Sequence, residues 1–177
     1  MSATAAPIKS ILPYFGGKRT LAPRIVAEFG RHHAYGEICC GSLAVLMGKQ
    51  PAAMEVVCDL YGHVINLARF MVSDRWEELC GRLARTLMHD DVFLEAKANA
   101  ADEDLSIELV PAESSGSIEA KHIDAAYWFF ILSWMGRNGA AGTRGYNQTI
   151  STRYTSNGGS GGLRWCQAVD SIPAWRD

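Results

Sequence analysis

The chain has 177 residues, 48% of them apolar, and a net charge of −2 from 17 Lys and Arg against 19 Asp and Glu. That length can bury a real core in one domain, and the slight acidic balance excludes a protein coated in positive charge. The opening "MSATAAPIKS" has no apolar signal-type core, and no later run is long and apolar enough to cross a bilayer, so the expectation is a cytosolic protein that makes no membrane contact. Cys39, Cys40, Cys58, Cys80 and Cys166 form no C-x-x-C pair and leave an odd one over, the usage of reduced thiols. Metal ligation is not expected, and the adjacent His32 and His33 read as a solvated turn.

In chain order, "PYFGGKRTLAP" (13–23) places two glycines before a lysine, as a phosphate-gripping loop would. A Walker-type loop needs an earlier glycine where Leu12 stands and a magnesium-binding hydroxyl where Arg19 stands, so that reading fails. What survives is a Gly16-Gly17 hinge that allows close backbone approach and aims the Lys18 ammonium at an anion. A helix is expected over about Thr20 to Phe29, burying Leu21, Ile25, Val26 and Phe29. "AYGEICC" reads as a strand broken by Gly41-Ser42, "LAVLMGK" as a helix closed by Pro51, "MEVVCD" as a second strand ending at Asp59, and "GHVINLARFM" as a helix. Such a βαβα pattern binds ligands at the carboxyl ends of its strands. The Gly41-Ser42 turn lets a ligand meet a helix N-terminus, and Asp59 stands where an acid holds ribose hydroxyls, so the pair points to an adenosine-type cofactor.

Beyond Arg69, "SDRWEELCGRLARTLMHDDVFLEAKANA" predicts two amphipathic helices, and "DEDLSIELVPAESSGS" an acidic connector. "AAYWFFILSWM" carries apolar residues on nearly every face, as a buried helix does. Between Asp124 and Asp170 there is no acidic residue, while Arg137, Arg144, Arg153 and Arg164 are interspersed with Tyr146, Asn147, Gln148, Tyr154 and many glycines. This composition suits either a patch that neutralises phosphates and inserts amides into a groove or a solvated Gly-rich linker.

"PYFGGKRTL", "YGEICCGSLAVLMGKQP" and "EVVCDLYGHVINLARF", in this order, resemble the D12 class of adenine-specific DNA methyltransferases, the Dam-like family. "AYWFFILSWMGRNGAAGT" resembles the helix and Gly-rich loop that this class carries before its catalytic motif. The resemblance implies a Rossmann-like S-adenosylmethionine-dependent fold with a helical and Gly-rich target-recognition insertion. Its expected organisation is 1–72 as the first part of the cofactor-binding domain, 73–165 as the recognition region and 166–177 as the return to the catalytic domain. It further implies that Tyr14, Lys18, Glu37, Gly41, Ser42 and Asp59 surround S-adenosylmethionine, with the cofactor carboxylate as the anion for Lys18. Arg137, Arg144, Asn147, Gln148 and Arg153 become the expected contacts to double-stranded DNA.

Two departures stand out. Where the family commonly reads Phe-x-Gly-x-Gly, this chain has Cys39 and Leu43 at the outer positions. The family's Asp-Pro-Pro-Tyr segment, which grips the flipped adenine, has no counterpart, since the 177 residues contain no Pro-Pro pair. The expectation is therefore a chain cut short before its catalytic motif, with an incomplete sheet, an unpaired apolar face and no activity alone. The alternative is a non-catalytic DNA- or cofactor-binding fragment that needs a second chain. A nicotinamide-dependent oxidoreductase is disfavoured by the missing glycine fingerprint.

Overall fold

The computed structural model describes residues 9–14, 16–101, 120–137, 149–151 and 160–176. The acidic connector and most of the Arg-rich stretch, including Arg144, Asn147, Gln148 and Arg153, lie outside these residues.

A tight turn opens the described chain: the Gly17 N–H donates to Tyr14 O (3.0 Å), and Gly16 carries the positive φ (71°) that the third position of a type II turn requires. A 3-10 turn over Lys18–Thr20 leads into helix α1, Ala22–Ala27, with Pro23 in its first turn, where the missing N–H is no loss. This helix is shorter than the sequence suggested. Ile25 and Val26 pack on Ala44 and Val45, but Leu21 and Phe29 are 52% and 37% exposed, because among the described residues the apolar surface α1 meets is narrow, the crossover and Tyr35.

Strands β1, Ala34–Ile38, and β2, Met54–Cys58, pair in parallel with Ala34 opposite Met54 and Ile38 opposite Cys58. The Cys40 N–H donates to Cys58 O (2.9 Å) and carries the pairing past the end of β1. Between the strands the expected "LAVLMGK" helix does not form beyond one 3-10 turn, Leu46–Gly48. Leu43 is left-handed (φ 59°) and Lys49 is extended, so too few residues remain between them for two helical turns. Lys49 leaves the turn to bury its ammonium against the Glu55 carboxylate and Gln50 O, with the ring of Tyr35 4.5 Å away.

The sheet has two unlike faces. Tyr35 and Glu37 of β1 and Val57 of β2 turn towards covered structure, whereas Ile38, Met54 and Val56 are 79%, 59% and 59% exposed.

The core is helical. Helices α2 (Gly62–Val72), α3 (Trp76–Ala84), α4 (Asp90–Ala101) and α6 (Gly161–Arg176) all pack on α5, Ala120–Met135. As its all-round apolar sequence requires, α5 buries Ile123, Ala126, Phe129, Phe130, Ile131, Leu132, Trp134 and Met135. The Trp134 indole donates to Ile11 O (3.0 Å) and ties α5 to the segment before the first turn, while the Asn66 amide donates to His122 O (3.1 Å). Aromatic contacts join α5 to α6: Phe130 meets Trp165 edge-on at 5.7 Å, and Trp134 stacks on Trp175 at 6.2 Å. α6 is continuous across residues 165 and 166.

Candidate cofactor turn and arginine cavity

The carboxyl ends of β1 and β2 meet at Asp59. Its Oδ2 accepts the Gly41 N–H (2.8 Å) and its Oδ1 accepts the Tyr61 N–H (3.0 Å), so one carboxylate clamps the turn after β1 to the start of α2. Gly41 is left-handed (φ 52°) with the Tyr14 ring over it, 3.6 Å from where a Cβ would stand. Gly17 is fixed more tightly still, since a Cβ there would lie 2.9 Å from Tyr14 O. The close approach made by the Gly-Gly pair is thus to Tyr14 of the same chain. Ser42 is buried, and its carbonyl accepts the Ile11 N–H (3.1 Å).

Lys18 reaches across this turn. Its ammonium donates to Cys39 O (2.6 Å) and lies 3.3 Å from Glu37 Oε1. The Glu37 carboxylate is buried at the end of β1, and its Oε2 accepts the Tyr35 hydroxyl (2.8 Å). Oε1 is near the ammonium but outside hydrogen-bond alignment, which leaves a buried acceptor satisfied by charge alone. Burial, then the Asp59 charge, raises the Tyr14 pKa above its usual value, so the phenol keeps its proton and remains a donor. Burial, together with Asp59 and Glu37, pushes the Cys40 thiol up to about 12, which makes it a packing group and not a nucleophile. Tyr14, Lys18, Glu37, Gly41, Ser42 and Asp59 therefore come together around one turn.

Two further features were not legible in sequence. Cys39 and Leu43, the positions that depart from the glycine motif, both adopt left-handed backbone (φ 57° and 59°). A polar cavity of about 340 Å³ also opens beside the turn, lined by Leu12, Pro13, Tyr14, Gly17, Arg19, Thr20, Ser42, Arg137, Ser151 and Arg164. Arg137 is held at its rim by backbone pairing: its N–H donates to Thr149 O (3.0 Å) and the Ser151 N–H to Met135 O (2.7 Å). Arg164 projects from the first turn of α6 with its guanidinium 5.4 Å from the Trp134 ring centroid. The only advance signal was the acid-free run containing Arg137 and Arg164; nothing linked either residue to Arg19.

The amino-acid sequence matches the D12 class N6 adenine-specific DNA methyltransferase family over residues 14–148, and the chain belongs to that family. The matched span includes the turn at Asp59, strands β1 and β2 and helices α1 to α5. No curated protein gives a significant match to the chain. Among the described residues, no helix is long and apolar enough to cross a membrane, and no three His, Cys, Asp or Glu side chains gather as metal ligands.

Proposed function

We propose that this chain carries the cofactor- and DNA-binding part of an enzyme that moves a methyl group from S-adenosylmethionine to the exocyclic N6 of adenine in duplex DNA. The observation that carries this reading is the clamp at Asp59, which joins the ends of two parallel strands at a left-handed glycine, within a chain of this family. The turn suits the cofactor chemically. Each Asp59 oxygen holds one backbone N–H and keeps a lone pair for a ribose hydroxyl. Beyond the N–H given to Cys39 O, Lys18 has others for the cofactor carboxylate, and Glu37 Oε1 is a buried acceptor suited to an ammonium or hydroxyl. When bound, the cofactor supplies an electrophilic methyl on a sulfonium. The chain's share is to orient it and keep it from water, which needs neither a metal nor a covalent enzyme intermediate.

On this reading the sheet belongs to a Rossmann-like methyltransferase fold, with residues 73–165 as its target-recognition region. Arg137, Arg144 and Arg153 meet phosphates, while Asn147 and Gln148 read base edges. The 177 residues lack an Asp-Pro-Pro-Tyr segment, which favours a division of labour in which other residues receive the flipped adenine.

Calorimetry with S-adenosylmethionine tests the cofactor assignment. Asp59→Ala and Lys18→Ala should each weaken binding by about 1.5 to 3 kcal/mol, the contribution of a charged hydrogen-bond partner. Unchanged affinity in both variants, with folding verified, would remove the turn from the cofactor site. A labelled-methyl assay on adenine-containing duplex complements it. Turnover by these 177 residues alone would place the catalytic centre among them.

A further inference from the structure

Arg19 follows the Gly-Gly-Lys turn, Arg137 follows α5 and Arg164 lies in the first turn of α6, yet all three line the cavity beside Tyr14 and Ser42. Among the described residues no acidic side chain lines that cavity, and none of the three arginines pairs with a carboxylate. Thr20, Ser42 and Ser151 add hydroxyl-bearing residues to the same wall. Cations converging without a counter-charge repel one another, and desolvation adds to the penalty. Burial first, then the nearby Arg19 charge, lowers the Arg164 pKa, so the two guanidinium groups act on each other. An oxyanion would relieve the repulsion, and the planar donor forks of arginine match phosphate oxygens two at a time.

We propose that Arg19, Arg137 and Arg164 form a phosphodiester site that seats the DNA backbone beside the cofactor turn. The inference rests on the DNA-methyltransferase reading and extends it by two residues: Arg19, near the start of the chain, and Arg164, at the far end of the acid-free run. The cavity, at about 340 Å³, exceeds a lone phosphate and takes one with part of its flanking sugars. Because Tyr14 and Ser42 belong both to the cavity wall and to the cofactor turn, a strand held there runs past the methyl donor. Arg137 stands on the backbone bridge between Gly136 and Ile150, so the site is anchored to α5.

The test uses the full chain with Arg19→Gln and Arg164→Gln, which remove charge and keep length, after thermal melts confirm folding. Salt-titrated binding to two unrelated duplexes should weaken equally on both in each variant, and the slope against log salt should flatten by about one unit per arginine. S-adenosylmethionine affinity should stay within twofold of the parent. A tenfold loss of cofactor affinity with unchanged DNA curves would overturn the proposal, since the arginines would then serve the cofactor carboxylate. Parallel, unshifted DNA curves for both variants would also overturn it. Inorganic phosphate, followed by amide shifts at Arg137, Ser151 and Arg164, separates the two readings. Saturable phosphate binding that Arg164→Gln abolishes supports the anion site even where the parent chain ignores duplex DNA, a result that would fault the function and not the cavity.

Discussion

Asp59 shows how far one side chain can be read in advance. Its place after a β-branched strand, and that of Gly41 after the strand before, are visible in the sequence because alternation and turn residues mark strand ends. That its two oxygens would clamp the Gly41 and Tyr61 amides was not visible, since it depends on parallel register. The left-handed pair flanking Gly41 is a clearer limit: nothing in the letters Cys39 and Leu43 announces positive φ. A non-glycine residue in that region is strained by about 1 kcal/mol or more. Cys39 is exposed, so Cys39→Gly should raise stability by up to about 1 kcal/mol in urea unfolding, while Cys39→Ala should leave it nearly unchanged. At Leu43 the sign reverses. Its side chain is 5% exposed within the main core, and the loss of that packing in Leu43→Gly, about 2 kcal/mol or more, outweighs the strain relieved. A stabilised Leu43→Gly would show that the packing there is loose.

At the scale of elements, the helices were more legible than the crossover. α2, α3 and α4 follow their apolar periodicity and α5 its all-round apolar composition, whereas "LAVLMGK" has helical composition but too few residues between two non-helical backbones. Packing of α2 on α5 also sets a pH response. His63, on α2, is 4% exposed, stacks on Phe129 of α5 at 5.3 Å and meets Tyr61 edge-on, and burial lowers its pKa to about 4. Its Nδ1 has no hydrogen-bond partner among the described residues. In the unfolded chain the imidazole titrates near 6.5, so between that value and about 4 the unfolded state binds the extra proton. The stability contribution is thus complete above the unfolded pKa and is lost progressively as pH falls towards 4, at no more than about 1.4 kcal/mol per unit. His63→Phe keeps the aromatic stack and removes the titration. Urea unfolding at pH 7 and pH 5 should show a smaller acid loss in this variant than in the parent, and equal losses would assign the acid sensitivity to other groups.

For the whole molecule, the main tension lies between a well-covered helical core and a two-stranded sheet with one bare face. Parallel sheets are ordinarily covered on both faces, yet Ile38, Met54 and Val56 are exposed together, with Leu60 at 99% just beyond β2. The sequence reading expected an unpaired apolar face on the ground that no Asp-Pro-Pro-Tyr segment follows the two strand patterns. Such a face favours self-association. Val56→Lys should lower light scattering at a given concentration while changing the unfolding midpoint little, since Val56 packs against nothing in the core cluster. An unchanged scattering profile would locate the sticky surface elsewhere.

The backbone bridge between Gly136 and Ile150 has an evolutionary consequence. It closes residues 137–149 at their base with short main-chain bonds that any sequence outside proline can make, so the closure makes little demand on the sequence within. Loop-closure entropy grows slowly, by about 0.6 kcal/mol per doubling of length. The interior can therefore change in length with little penalty to the scaffold, and on the proposed reading a new target preference can be acquired there while the arginine at its rim stays in place.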